Sequence, residues 1–138
     1  MSRKLATALE DAFAAAWRIS GRGSLVAEFE FCEGRKFRFD FANEASKVAV
    51  EMEGGVFGRK GAKKCPACGQ IAAGRHNTPM GFHDGCEKRN AAASLSWVVF
   101  YFSAKHLKDM PMQCVEMVSK AIEDRTPRTE SSDGNAPA

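Results

Sequence analysis

Between residues 25 and 53 the chain alternates apolar and polar side chains three times over, and this period of two limits the fold more than any other feature. The predicted strands are Leu25–Cys32, Lys36–Phe41 and Lys47–Glu53, with Glu33, Gly34 and Arg35 turning the first into the second as a hairpin. In the first, Ala27, Phe29 and Phe31 oppose Glu28 and Glu30; in the second, Phe37, Phe39 and Phe41 oppose Lys36, Arg38 and Asp40. In the third, Val48, Val50 and Met52 oppose Lys47, Glu51 and Glu53. Successive strand side chains point to opposite faces, so each strand is expected to bury its apolar side and turn carboxylates to the reverse. Chemistry is expected on that reverse face.

Leu5, Ala8, Leu9, Ala12, Phe13 and Ala16 recur at three- and four-residue steps, which predicts an amphipathic helix against the sheet, ending near Gly21. Residues 54–80 hold six glycines and no sustained periodicity, the pattern of a long irregular insertion. A helix follows from Pro79 or Phe82 to Ser96, with Thr78 as its N-cap and Ala91, Ala92, Ala93 and Leu95 favouring close packing. The uninterrupted apolar run Trp97–Phe102 reads as a strand buried on both faces, which requires helices on either side of the sheet. Val115, Val118 and Ile122 place a last helix at Pro111–Arg125, and Met110, Met112 and Met117 are expected to pack. Residues 126–138, without a large apolar side chain, read as a disordered tail. The expected class is α/β, a mixed central sheet flanked by helices in the order α-β-β-β-α-β-α, as one domain over residues 1–125.

No window holds the roughly 18 uncharged apolar residues of a membrane span, and Arg3, Lys4, Glu10 and Asp11 stand where a secretion signal needs an apolar run. A cytoplasmic protein without a membrane partner is expected. Its formal charge of +3 is mild, but residues 54–90 carry seven basic side chains against two acidic ones, a local +5. A basic loop beside acidic strands suits a polyanion; a solvated surface loop is the plainer alternative.

Five cysteines are an odd number, which disfavours a disulfide framework. Cys65-Pro66-Ala67-Cys68-Gly69 has the form of a zinc knuckle, completed by His83 and Cys86, three apart at a helix start, or alternatively by His76. A reduced or a redox-active pair is the competing reading, and Cys32 and Cys114 read as ordinary thiols.

Asp40 and Glu51 lie near the ends of adjacent strands, where two carboxylates converging on one side suit Mg²⁺, with the Met52 carbonyl as a further ligand. Glu53 points the same way by alternation and Glu28 can join from the first strand. Asp84 and Lys88 share a helix face, and the Lys88 ammonium could orient a water or stabilise developing charge. An acidic solvent-facing sheet with unrelated lysines is the bland alternative.

The stretches 37–42 (FRFDFA), 48–55 (VAVEMEGG), 74–76 (GRH) and 86–92 (CEKRNAA), followed by Trp97, together resemble small phage and prophage endonucleases of the PD-(D/E)XK, restriction-endonuclease-like superfamily. The likeness spans about residues 28–102 and relates the chain to the branch similar to the very-short-patch repair endonucleases. It implies a restriction-endonuclease-like core and Mg²⁺- or Mn²⁺-dependent hydrolysis of DNA phosphodiesters, with Asp40 and Glu51 on the metal and Glu28 at a position often acidic. The motif lysine of that superfamily would fall on Glu53, a carboxylate here, and Lys88 on the next helix is its expected substitute. Arg59, Lys60, Lys63, Lys64 and Arg75 are the expected phosphate contacts, and pairing into a homodimer would suit a small enzyme cutting two strands. Two alternatives stay open: a non-catalytic, zinc-stabilised DNA-binding module, and an interaction domain decayed from a nuclease.

Overall fold

The computed structural model describes residues 2–53 and 79–128. The expected basic contacts Arg59, Lys60, Lys63, Lys64 and Arg75, the knuckle residues Cys65 and Cys68, His76, the cap Thr78 and the tail from residue 129 lie outside them. The elements are α1 (Ser2–Ser20), β1 (Val26–Glu30), β2 (Arg38–Asn43), β3 (Val48–Glu53), α2 (Pro79–Ser94), β4 (Val98–Ser103), α3 (Ala104–Asp109) and α4 (Pro111–Arg125). The class is mixed α/β. One sheet runs β1-β2-β3-β4, antiparallel across the first three strands and parallel between β3 and β4. A parallel pair cannot be joined by a tight turn, and the chain between β3 and β4 carries α2. No helix among the described residues is long and apolar enough to cross a membrane.

Two cores sandwich the sheet. On one face Leu9, Phe13 and Ala16 of α1 meet Phe41, Val48, Val50, Met52 and Phe102, closed by Leu107 of α3 and by Val115, Val118 and Ile122 of α4. On the other, Phe39, Ala42, Ala49 and Ala92 form a smaller cluster with Phe29, Phe31, Trp97 and Val99. The alanines let α2 approach the sheet closely, as close-packed interiors require.

This two-sided burial corrects the expected alternation. Phe39 packs against Trp97, ring centroids 5.0 Å apart, whereas Phe41 packs against Phe13 at 5.4 Å on the opposite side. The regular period of two therefore breaks at Asp40, between them. Across the ladder Glu28 falls between the pairs Ala27↔Phe41 and Phe29↔Phe39, and its φ of 55° is left-handed. One strained residue in β1 and a face change in β2 twist the hairpin so that its outer half curls over α2. Arg35, just beyond Gly34 in the turn, reaches Glu87 of α2 at 2.8 Å.

Three further expectations are corrected. Strand β4 is an edge strand rather than one buried on both faces, and Tyr101 on it is 40% exposed. Helix α3 adds an element to the expected order; Ser103 caps it through the His106 amide while His106 Nδ1 accepts the Ser103 N–H at 3.0 Å, a capping box in which His stands for the usual Glu or Gln. Met110, Met112 and Met117 are exposed, because the buried stripe of α4 is Cys114, Val115, Val118, Ser119 and Ile122.

At the far end of α4, Arg125 donates from Nε to the Ser46 carbonyl at 2.8 Å and from Nη2 to the Ser96 carbonyl at 2.6 Å, tying together the turns that enter β3 and β4. Arg125→Ala is expected to destabilise by about 1–2 kcal/mol, since two acceptors lose a charged donor. Urea denaturation measures it; an unchanged midpoint would show that water replaces the clamp at no cost.

Candidate active site

The ladder between β2 and β3 runs from Asn43↔Val48 to Phe41↔Val50 and goes no further. Beyond it the strands part, and the Asp40 carboxylate bridges the opening: its Oδ2 accepts the Met52 N–H at 2.6 Å. A backbone donor that the diverging strand would leave unpaired is thus satisfied by a side chain that also faces the gap.

Glu51 enters the same gap from β3, where the Asp40 charge bears on it. Its Oε1 contacts Lys88 Nζ from α2 in a largely buried pair, with the Glu51 side chain only 13% exposed. Burial pushes the Glu51 carboxyl up to about 7; the Lys88 charge opposes this, and the Asp40 charge reinforces it. Three elements distant in the chain, β2, β3 and α2, therefore supply Asp40, Glu51 and Lys88 to one place.

A third carboxylate comes from α1 and a fourth from β1. Oxygens of Glu10, Glu28 and Asp40 all lie within 4.8 Å of one another. Burial, followed by the charges of Asp40 and Glu28, pushes the Glu10 carboxyl up to about 7. The position of Glu10 follows from helix geometry: it sits between buried Leu9 and buried Phe13, on the flank of the stripe that α1 presses on the sheet. The strained φ of Glu28 belongs to the same spot, where backbone strain accompanies a cluster of like charges.

The other expected residues lie differently. Glu53, which strand alternation directs with Glu51, faces Arg89 of α2 at 3.9 Å. Asp84 is exposed, and the α2 residues lining the cavity beside Glu51 are Gly85, Lys88, Arg89 and Ala92. His83 Nε2 lies 3.3 Å from Glu87 Oε1, so its described partner is a carboxylate; Cys86 is a half-buried free thiol. Glu87 itself is held below the usual carboxylate range, chiefly by Arg35. Cys114 is buried, which pushes its thiol up, and Cys32 is half-buried. Glu10 is the participant that strand patterning misses; an acid inside the Leu9–Phe13 stripe was the available signal.

Crowded carboxylates next to one ammonium favour a hard cation, because each added negative charge raises the cost of the others until a positive ion enters. No family model, no curated protein and no solved structure matches this chain.

Proposed function

We propose that the protein is a metal-dependent DNA endonuclease with a restriction-endonuclease-like core. The reading is carried by the convergence of Asp40, Glu51 and Lys88, which the chain keeps 11 and 37 residues apart and the fold brings to the point where β2 and β3 separate. The order of the first six elements, α-β-β-β-α-β with β4 parallel to β3, supports the same reading.

The donor set fits Mg²⁺ or Mn²⁺: oxygen ligands alone, with several carboxylates and no soft donor among them. Asp40 and Glu51 would hold the ion, with Glu10 and Glu28 beside Asp40, and it would supply Lewis-acid activation of a phosphodiester and of a water. The protein's own groups do the rest. Lys88, pinned on Glu51, takes the part of the lysine absent at residue 53, placing an ammonium where negative charge develops on the phosphate oxygens. Glu10, pushed up to about 7, is poised to take a proton from the attacking water near neutral pH. Asp40 keeps its orientation through the Met52 amide. The basic residues Arg59, Lys60, Lys63, Lys64 and Arg75 complete the proposal as phosphate contacts, and the zinc knuckle as a clip that would order them.

Incubation with supercoiled, linear and branched DNA tests the reading. Nicking or linearisation is expected with Mg²⁺ or Mn²⁺ and none with EDTA, and Lys88→Ala is expected to slow it roughly 100-fold. Metal-independent binding without cleavage of any of the three substrates would instead favour the DNA-binding module.

A further inference from the structure

Beside the carboxylates, a cavity of about 150 Å³ opens between α2 and the C-terminal ends of β3 and β4. Its wall includes Glu51, Glu53, Gly85, Lys88, Arg89 and Tyr101. Tyr101 stands opposite Glu51 in the parallel ladder, and the outer ends of parallel strands are where α/β sheets receive ligands. The Arg89 guanidinium lies over the Tyr101 ring, 5.4 Å from its centroid.

Resting on the nuclease reading, we propose that this cavity seats the backbone phosphate next to the scissile one, with Arg89 as its ligand and Tyr101 as the platform that holds the guanidinium flat. Size selects the occupant. Sites for whole small molecules run to roughly 300–1,000 Å³, so about 150 Å³ suits one phosphodiester group and not a nucleotide with its base. Charge agrees. With Glu51 engaged by a divalent cation, the wall presents Lys88 and Arg89 against the single carboxylate of Glu53. The Arg89–Glu53 pair, at 3.9 Å, is at the outer limit of an ion pair and beyond hydrogen-bond length, so it leaves the guanidinium able to take a phosphate in its planar fork.

Gly85 adds an independent sign. It occupies the interior of α2, where glycine is among the poorest helix formers, yet a Cβ built there meets no described atom within 4 Å. Packing among the described residues therefore does not demand glycine. Lining the cavity, it leaves open the room a phosphate needs.

Arg89 touches the phosphate and Tyr101 acts through Arg89, so their test reads binding as well as turnover. On a supercoiled plasmid, Arg89→Ala and Tyr101→Ala are expected to raise KM about tenfold with kcat within about twofold, Arg89→Lys, which keeps the charge but loses the planar fork, to raise KM about threefold, and Tyr101→Phe to stay near wild type. Binding of a fluorescein-labelled 20-base-pair duplex is measured in Ca²⁺ to keep it uncut. There Arg89→Ala should flatten the slope of log affinity against log salt by about one, the signature of one lost phosphate contact, while Arg89→Lys keeps it. Gly85→Ala should raise the melting temperature by about 3 °C while raising KM. Unchanged KM and salt slope in Arg89→Ala, with an active wild type, overturn the subsite and leave the nuclease standing. A wild type that binds the duplex but cleaves nothing overturns the nuclease and with it the place of this phosphate beside a scissile one, and absence of duplex binding overturns any phosphate site at Arg89.

Discussion

Asp40→Asn is expected to abolish Mg²⁺-dependent cleavage and, at the same time, to raise the melting temperature. Asp40 touches both sides of the gap: it accepts the Met52 amide, its charge bears on Glu51, and its carboxylate lies within 4.8 Å of those of Glu10 and Glu28. Asparagine keeps the size and the acceptor for Met52 but removes the charge that raises both neighbouring carboxyls. A metal's contribution of several kcal/mol corresponds to at least about 10³-fold in rate, so residual cleavage should fall below detection in a plasmid assay. Relief of repulsion at pH 8 is worth about 1 kcal/mol, or about 4 °C for a domain of this size. Asp40→Ala provides the contrast. It removes the charge and also the acceptor, leaving the Met52 N–H without its partner at about 1–3 kcal/mol, so its melting temperature should lie below that of Asp40→Asn. Cleavage at the wild-type rate by Asp40→Asn would sink the metal assignment. A lowered melting temperature would show instead that the carboxylates do not repel one another in the folded chain. The opposite movement of stability and activity is the usual mark of a site whose charges serve chemistry at the expense of the fold.

The parts of this fold that depend on short-range pattern were legible, and those that depend on three-dimensional twist were not. Val115, Val118 and Ile122 mark α4 because a helix buries every third or fourth residue, and the structure places it at Pro111–Arg125 as expected. The three antiparallel strands and the Gly34 turn follow equally from local chemistry. Yet assigning Phe37, Phe39 and Phe41 to one face fails at Asp40, since periodicity presumes an unbroken pleat and the Glu28 backbone breaks it. Helix α3 escaped because it is six residues long and capped by a histidine, too short for periodicity to register. For the site, spacing suggested Asp40 and Glu51 as partners and put Lys88 with Asp84 on one face of the next helix, while the family resemblance made Lys88 the substitute for the lysine missing at residue 53. Glu10 illustrates the limit: a carboxylate inside an apolar stripe is visible in sequence, but what it faces is decided by how α1 lies on the sheet. Glu53 illustrates the converse, since strand parity set its direction but Arg89 on another element determined its company.

Stability should fall as pH rises from about 5 to about 8, and a divalent cation should restore it only at the upper end. Glu10 and Glu51 each go up to about 7 from an ordinary value of 4.5, so the folded chain holds their protons more tightly than the unfolded one. Such groups contribute fully below pH 4.5, where both states are protonated, and lose that contribution as pH climbs through about 7. For Glu51, 13% exposed, that rise corresponds to about 3 kcal/mol at most; the partly exposed Glu10 adds a smaller amount because solvent screens it. On the acid side Glu87 and Glu116, both held low by arginines, act in the other sense and lose their contribution as pH drops below the ordinary carboxylate range. The stability maximum should therefore sit near pH 5, more acidic than the centre of the common range. Mn²⁺ at about 100 times its Kd should return about 2.7 kcal/mol at pH 8, and almost nothing at pH 5, where the ion must displace protons to bind. Glu51→Gln should flatten most of the decline from pH 5 to 8 and remove most of the Mn²⁺ response with it. Thermal melts across pH 4–9, with EDTA or with Mn²⁺, measure both effects on one protein. A curve flat from pH 5 to 8 and indifferent to the ion would mean that the four carboxylates are solvated separately, leaving Lys88 as an isolated partner of Glu51 and the gap between β2 and β3 without a cation to hold.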